Sequence, residues 1–189
     1  MSFDLRFVFR RFKYFFTKLK YSINFTIKLG KFVYIGKEVN LSKDITIGDC
    51  SYIGQYSYIA PNVHIGNFAL LSDNVNIIGH DHNYDVVGSP TILSGVPLEV
   101  PTFIGDDVWL GHAVTVMRGV KIGNGVIVAS NSVVTKDIPP YEVWAGVPAK
   151  KIKNRFSPEQ IIKHESFLMN FKKGLIKLSH DRRLKAYNE

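Results

Sequence analysis

The amino-acid sequence predicts a mainly β protein built as a parallel β-helix, and three observations support this fold class. Aliphatic residues recur at every sixth position along two stretches, and an apolar or small residue lies two positions before most of them. Glycine directly follows many of these aliphatic residues, often with Asp or Asn after it. A short fixed repeat dictates the architecture and overrides local propensity. The repeat positions are Ile35, Leu41, Ile47, Ile53, Ile59, Ile65, Leu71 and Ile77, then Ile104, Leu110, Val116, Ile122, Val128 and Val134.

Each six-residue unit is expected to hold one short strand and one bend. Two residues separated by one position share a face of an extended segment, because side chains alternate across a strand. Gly, Asp and Asn accept the backbone conformations of turns. A chain that bends at a constant interval winds into coils about 4.8 Å apart with its aliphatic residues stacked inside. Sandwich strands recur at about 8 to 12 residues and βα units at about 30, so neither alternative fits this period.

The repeat is interrupted once in the sequence. Ile77 and Ile104 are 27 residues apart, which is not a multiple of six, so residues 78–103 are expected to leave the column as a loop. Long loops in compact proteins are commonly functional. Two of the six histidines, His80 and His82, lie where this loop begins. We therefore expect the chemistry of the protein at the start of the loop.

The net charge of +8 is unevenly distributed. Residues 1–31 carry eight Lys or Arg and one Asp, residues 150–189 carry eleven Lys or Arg and four acids, and residues 32–149 carry five against eleven. We expect a basic aromatic extension at 1–31, a column domain at 32–149 with the loop 78–103, and a helical cap with a basic tail at 150–189. The acidic column and the absence of a nucleic-acid-binding motif predict no nucleic-acid partner.

Residues 3–23 are predicted to form an amphipathic helix. Charged residues interrupt its apolar positions every few residues, which excludes a signal peptide or a membrane span. Two interpretations stay open: the helix packs on a neighbouring subunit or the open end of the column, or it lies on an anionic membrane surface. Its apolar positions, at three- and four-residue spacing, are Leu5, Val8, Phe12, Phe15, Leu19 and Ile23.

The other end of the chain predicts a helix as well. Ser157 suits the N-cap, Pro158 the first helical position, and Gln160 the partner of a capping box. A helix here is expected to cover the last coil, as repeat arrays require. Cys50 is the only cysteine, so no internal disulfide forms, which fits a cytoplasmic location. Binding of the N-terminal helix to lipid would place the protein on the inner face of the cytoplasmic membrane.

The sequence is similar to the hexapeptide-repeat acyltransferases, which include galactoside, maltose, xenobiotic and capsular-sugar O-acetyltransferases. The similarity covers about residues 35–156 and is strongest in 104–111, 134–140 and 145–150. It implies a left-handed, three-sided prism with 18-residue coils, assembled as a homotrimer with active sites between neighbouring columns. It also implies acetyl transfer from acetyl-CoA, with a histidine as general base.

The same resemblance assigns the residues of the loop. The family places its catalytic histidine about seven residues after the last Asn-Val of the ladder, which corresponds to His82 here. A histidine suits this role because its ordinary pKa lies near 6.5, so it can take a proton from a hydroxyl group at cellular pH. His80, Tyr84 and Asp85 are the expected contacts to the acceptor substrate, with Asp85 the candidate for orienting His82.

The resemblance also assigns the residues that are expected to contact acetyl-CoA. Trp109 and Gly111 are expected to flank the pantetheine groove, and backbone groups of Ala129 and Ser130 to line it. Thr135 and Lys136 are expected further along the groove. A cation suits phosphate, so Lys150, with Lys151 or Arg155, is the candidate contact at the nucleotide end of the coenzyme. The expected acetyl-CoA contacts are Trp109, Gly111, His112, Ala129, Ser130, Thr135, Lys136 and Lys150, and no metal is expected.

The acceptor substrate is the feature of the predicted reaction that the sequence determines least. Tyr52 and Ala60 stand where the galactoside and maltose branch holds its sugar with Asn and Asp, so those contacts do not carry over. The loop and the exit of the column look closer to the xenobiotic and sugar O-acetyltransferase branch, and a saccharide of surface polysaccharide or lipid-linked assembly is the expected acceptor. Three alternatives stay open: a xenobiotic or amino-sugar N-acetyltransferase, a non-catalytic membrane scaffold, and a γ-type carbonic anhydrase, whose zinc-ligand spacing is absent from this sequence.

Overall fold

A computed structural model describes residues 26–78 and 82–176. It consists of seventeen short strands, one 3₁₀ turn at Thr91–Leu93 and one α-helix, α1, at Pro158–Lys172. The strands are β1 Lys28–Leu29, β2 Tyr34–Ile35, β3 Asn40–Leu41, β4 Thr46–Ile47, β5 Tyr52–Ile53, β6 Tyr58–Ile59, β7 Val63–Ile65, β8 Leu70–Leu71, β9 Asn76–Ile77, β10 Thr102–Ile104, β11 Trp109–Leu110, β12 Thr115–Val116, β13 Lys121–Ile122, β14 Ile127–Val128, β15 Val133–Val134, β16 Glu142–Gly146 and β17 Ala149–Asn154.

The strands form three sheets, as a three-sided column requires, and every pairing is parallel except that of β16 with β17. Sheet A has the order β1-β4-β7-β10-β13, sheet B the order β17-β16-β14-β11-β8-β5-β2, and sheet C the order β15-β12-β9-β6-β3. Tyr34 pairs with Tyr52, an offset of 18 residues, so one coil visits each sheet once. The predicted parallel β-helix with 18-residue coils is confirmed, and its architecture is consistent with the left-handed form.

The core of the column is the aliphatic ladder read from the sequence. Ile53, Ile59 and Leu71 are completely buried, and Val75 and Val108 fill the second inward position of their coils. Ser51 occupies that second position as a buried polar residue. Its hydroxyl donates to the carbonyl of Gly66 and accepts the N–H of Ala69, so no polar atom of Ser51 is left unsatisfied. Fully burying each large aliphatic side chain contributes about 1.5 to 3 kcal/mol.

The bends between sheets A and B are held by a ladder of side-chain amides and carboxylates. The side-chain oxygen of Asn67 accepts the N–H of Asp49 at 2.8 Å, and that of Asp106 accepts the N–H of Asn67 at 2.8 Å. Asn124 continues the ladder by accepting the N–H of Asp106 at 3.0 Å. Each contact joins two successive coils and satisfies a backbone donor at a bend. Glycine precedes these residues because the coils approach closely: a Cβ added to Gly66 would lie 2.7 Å from the backbone of Gly105.

The last coil ends in an antiparallel hairpin. β16 pairs with the preceding strand β14 in parallel and with β17 antiparallel. The guanidinium of Arg155 then binds the carboxylate of Asp107 at 2.8 Å and donates to the carbonyl of Gly125 at 3.0 Å. These contacts attach Arg155, which follows β17, to two of the bends between sheets A and B. The antiparallel strand β17 is an element that the six-residue period does not predict.

Residues 156–176 make up the described part of a second unit. The predicted N-terminus of α1 is confirmed: the Ser157 hydroxyl accepts the N–H of Gln160, and the Gln160 side chain accepts the N–H of Ser157 at 2.8 Å. The predicted helix at 3–23 and the basic tail beyond residue 176 lie outside the described residues. Within the described ranges, no helix is long and apolar enough to cross a membrane.

Candidate functional site

Two edges of the column carry the candidate site residues. We call the residues that link sheet C to sheet A the CA edge. Those that link sheet B to sheet C form the BC edge, in which we include Trp109 of β11 because its indole bonds to Ser72 there. The loop leaves the CA edge after Ile77 and returns where β10 begins at Thr102, so it spans 78–101, two residues shorter than expected. The edges are separated by the width of sheet C, which is at most about 20 Å for six residues of extended chain.

The start of the loop is fastened to its later part by one residue. The backbone N–H of Asn83 donates to the carbonyl of Gly95 at 2.9 Å, and its side-chain amide donates to the carbonyl of Ser94 at 3.0 Å. The Ser94 hydroxyl donates to the carbonyl of Asn83 in return. His82 precedes this clamp directly and is exposed, so the clamp limits the backbone freedom of its neighbour. His80 lies outside the described residues.

The rest of the loop presents an apolar surface. Tyr84, a predicted acceptor contact, is 88% exposed, and Val87 is completely exposed. Asp85, the other predicted contact, is exposed beside them. Exposed large apolar side chains in this number are typical of a binding or assembly site. Its large apolar side chains are Tyr84, Val86, Val87, Ile92, Leu93, Val96, Leu98 and Val100.

The BC edge carries most of the predicted coenzyme contacts. Trp109 lies at the outward position of β11 and is 47% exposed, and its indole N–H donates to the Ser72 hydroxyl at 3.3 Å on the preceding coil. Gly111 follows at the bend, where an added Cβ would lie 2.6 Å from the backbone nitrogen of Ser130. His112, Ala129 and Ser130 are exposed on the same edge. The bend therefore needs glycine at 111, and it leaves an open strip beside the indole.

The remaining predicted coenzyme contacts lie elsewhere. Thr135 and Lys136 follow β15 and are exposed on the CA edge, above the point where the loop departs. Lys150 lies on β17 at the end of sheet B. The sequence places all these residues in one site, whereas a single column distributes them over two edges and its C-terminal end.

A cluster at the C-terminal end of the column was not recognised from the sequence. The indole N–H of Trp144 donates to Glu142 at 2.7 Å, and the ammonium of Lys151 binds the other carboxylate oxygen at 2.5 Å. Burial disfavours the charged form of Glu142, but the hydrogen bonds from Lys151 and Trp144 and the charge of Lys151 together lower its pKa below the ordinary value. The only signal in the sequence is the spacing of Glu142 and Trp144, which places them on one face of a strand.

Over residues 26–78 and 82–176, no group of three His, Cys, Asp or Glu side chains is arranged to hold an ion.

Comparison with known proteins supports the resemblance seen in the sequence. Residues 101–136 match the family model described as bacterial transferase hexapeptide (six repeats). A probable macrolide acetyltransferase of Lysinibacillus sphaericus is 40% identical over 113 residues, which cover 51% of this chain and 62% of that protein. A putative lipopolysaccharide biosynthesis O-acetyl transferase of Escherichia coli K12, WbbJ, is 43% identical over 98 residues, covering 49% of this chain and 50% of that protein. The chain thus spans less than two thirds of these curated relatives.

Solved structures agree over a longer stretch. A hexapeptide-repeat-containing acetyltransferase of Vibrio cholerae O1 biovar eltor, complexed with acetyl coenzyme A, has a TM-score of 0.65 and 26% identity, covering 75% of this chain and 79% of that one. The predicted resemblance to hexapeptide-repeat acyltransferases is therefore confirmed.

Proposed function

We propose that this hexapeptide-repeat protein is an acetyltransferase that moves the acetyl group of acetyl-CoA to a hydroxyl of a saccharide, with His82 as general base. The observation that carries the proposal is an exposed histidine at the start of the long loop of a hexapeptide column. That loop breaks the repeat once, and the repeat resumes in register with β10 pairing to β7. The similarity to an acetyl coenzyme A complex supports the donor.

The chemistry needs one proton acceptor near a thioester. A neutral imidazole of His82 takes the proton of the acceptor hydroxyl while the oxygen attacks the thioester carbonyl. The tetrahedral intermediate carries negative charge on the former carbonyl oxygen, which backbone N–H groups can stabilise. When the carbon–sulfur bond breaks, the thiolate of CoA takes the proton from the imidazolium. The products are the acetyl ester and free CoA, and the enzyme returns to its starting state.

Two copies of the chain are needed to complete such a site. His82 belongs to the loop of the CA edge, and Trp109 to the BC edge. A contact between the CA edge of one copy and the BC edge of the next joins two different surfaces, and such contacts form a ring when the rotation between copies closes. We propose a homotrimer with acetyl-CoA between neighbouring columns.

The saccharide acceptor is supported by similarity to WbbJ, whose name assigns it to lipopolysaccharide biosynthesis. The proposed location is the cytoplasm. Contact of residues 3–23 with the inner face of an anionic membrane remains a prediction, since that segment lies outside the described residues.

A second acceptor class is favoured by a different observation. The loop surface from Tyr84 to Val100 is apolar, with Val87 and Leu98 at 100% and 90% exposure. Another relative is a probable macrolide acetyltransferase, so an apolar hydroxyl or amine compound is the alternative acceptor.

An acceptor screen tests both functions. Release of free thiol from acetyl-CoA is measured with nucleotide sugars, lipid-linked oligosaccharides and capsular repeats in one set, and apolar alcohols and amines in another. We expect turnover with the first set that is lost in His82→Ala. Turnover confined to the second set would support the xenobiotic function, and failure to bind acetyl-CoA in calorimetry would support a scaffold.

A further inference from the structure

Four side chains meet at the C-terminal end of the column. Trp144 on β16 is 6% exposed and belongs to the hydrophobic core. Its indole N–H donates to one oxygen of Glu142 at 2.7 Å, while Lys151 binds the other oxygen at 2.5 Å. The ammonium of Lys136 lies 5.5 Å from the centroid of the Trp144 ring. A cation within about 6 Å of an indole face is attracted to it.

The two lysines have different partners in this cluster: Lys151 binds the Glu142 carboxylate, and Lys136 lies over the Trp144 ring. Each oxygen of Glu142 has a partner, the indole N–H of Trp144 on one and the ammonium of Lys151 on the other. Lys136 is exposed and forms no ion pair with any residue in 26–78 or 82–176. An indole ring attracts an ammonium without accepting its protons in the way a carboxylate does. The ammonium of Lys136 therefore has N–H donors available to an anion.

The position of Lys136 along the column suits a ligand that begins at His82. The loop departs after Ile77, and the N–H of its first residue, Ile78, donates to Val116 of the next coil. Met117 in turn donates to Val134 of the coil after that. Lys136 is thus two coils above the departure point on the same edge, or about 10 Å at 4.8 Å per coil. In CoA the pantetheine arm separates the thioester from the phosphates. A cation displaced about 10 Å along the column from the departure of the loop is therefore a candidate contact for those phosphates.

We propose that Trp144, anchored by Glu142, is a positioning residue that holds the ammonium of Lys136 toward a phosphate of CoA. This inference rests on the proposed function, because it needs CoA as the ligand. Trp144 acts twice: its ring supports the ammonium, and its N–H occupies a carboxylate oxygen that would otherwise compete for Lys136. Lysine binds phosphate as a point charge, so its placement decides the strength of the contact.

Calorimetry of the full chain with CoA tests this, with pantetheine as the probe that lacks phosphates. Trp144→Phe keeps an aromatic ring, smaller than the indole, and removes the N–H that anchors the side chain to Glu142. We expect it to raise the Kd of CoA about 3- to 10-fold, equivalent to about 0.7 to 1.4 kcal/mol, while the Kd of pantetheine stays within about twofold. Trp144→Leu removes the ring as well, and we expect a larger loss if that variant folds.

Lys136→Met supplies the decisive comparison. In a Lys136→Met background, Trp144→Phe should weaken CoA binding no further, because both changes act through one contact. A purely structural role of Trp144 would weaken CoA and pantetheine equally, would add to the effect of Lys136→Met, and would overturn the inference. Lys153→Met, on the exposed strand β17, is the matched control for general charge. An equal loss in Lys153→Met and Lys136→Met would also overturn it.

The two proposals fail in different ways. Absence of CoA binding in the wild-type protein would refute the proposed function and this inference together. Wild-type binding of CoA that is unchanged in Trp144→Phe would refute only the positioning role.

Discussion

The indole nitrogen of Trp109 and the hydroxyl of Ser72 form a hydrogen bond of 3.3 Å between two successive coils. Ser72 follows β8 and Trp109 begins β11, so 37 residues of sequence, including the whole loop, separate the partners. The contact sets the direction of a half-exposed indole along the BC edge. Because Trp109 is a proposed wall of the pantetheine groove, its orientation should matter for coenzyme binding.

Ser72→Ala should therefore weaken the use of acetyl-CoA without unfolding the column. Loss of one neutral hydrogen bond costs about 0.5 to 1.5 kcal/mol, so we expect kcat/KM for acetyl-CoA to fall about 2- to 10-fold. Steady-state thiol release measures the effect. Ser42→Ala is the control, because this serine follows β3 on the CA edge two coils away from the loop. An equal fall in that variant would argue against a specific role for Ser72.

His82→Ala should abolish most of the turnover. Loss of a general base lowers the rate about 10²- to 10⁴-fold, and we expect the fall in kcat with little change in the Kd of CoA. His64→Ala is the matched control, because His64 lies on sheet A with its own partners, Thr46 at 2.9 Å and the stacked ring of Phe103. Near wild-type turnover in His82→Ala, together with an inactive His80→Ala, would move the assignment to His80.

A mixed assembly should recover activity that its two parents lack. If His82 of one copy faces Trp109 of the next, protomers with His82→Ala and protomers with Trp109→Leu form some intact sites when combined. Random assortment in a closed ring gives about one quarter of the sites both native residues. Co-expression with two tags, followed by thiol-release assays, measures this. Activity no higher than in the parents would contradict a site shared between copies.

The stability of the column end should depend on the ionisation of Glu142. Because the folded-state pKa of Glu142 is lowered, its contribution to stability is present above the unfolded pKa of about 4.3 and is lost as the pH falls through the folded pKa. Glu142→Gln should lower the Tm by about 2 to 4 °C at pH 7, and this difference should shrink below about pH 4. Thermal unfolding between pH 3 and 8 tests the sign. A difference that is constant across this range would show that charge is not the cause.

The N-terminal segment gives a prediction independent of the active site. If residues 3–23 bind an anionic surface through their basic face, full-length protein should co-sediment with anionic liposomes and a variant lacking residues 1–30 should not. Added salt should weaken the binding, because the attraction is largely electrostatic. Equal sedimentation of the two proteins would exclude the membrane role. Neutral phosphatidylcholine liposomes are the control surface.

The repeat and the start of α1 could be predicted because each depends on local chemistry. A period of six with glycine at the bends fixes which residues point inward, so Ile53 and Leu71 are buried as expected. The capping box of Ser157 and Gln160 follows from spacing within one turn of helix. The hairpin of β16 and β17 was missed because it departs from the period at the last coil.

The sequence by itself determined the column, its core and the place where the repeat breaks, because a short period acts on neighbouring residues and is insensitive to the rest of the fold. Only the tertiary structure decided that His82 and Trp109 belong to different edges, that Asn83 fastens the loop to Ser94, and that Trp144 supports Lys136. These relationships depend on how many coils and how long a loop separate two residues, and on which side chains the winding brings together. No single motif contains this information, because it depends on the bends of all the coils together.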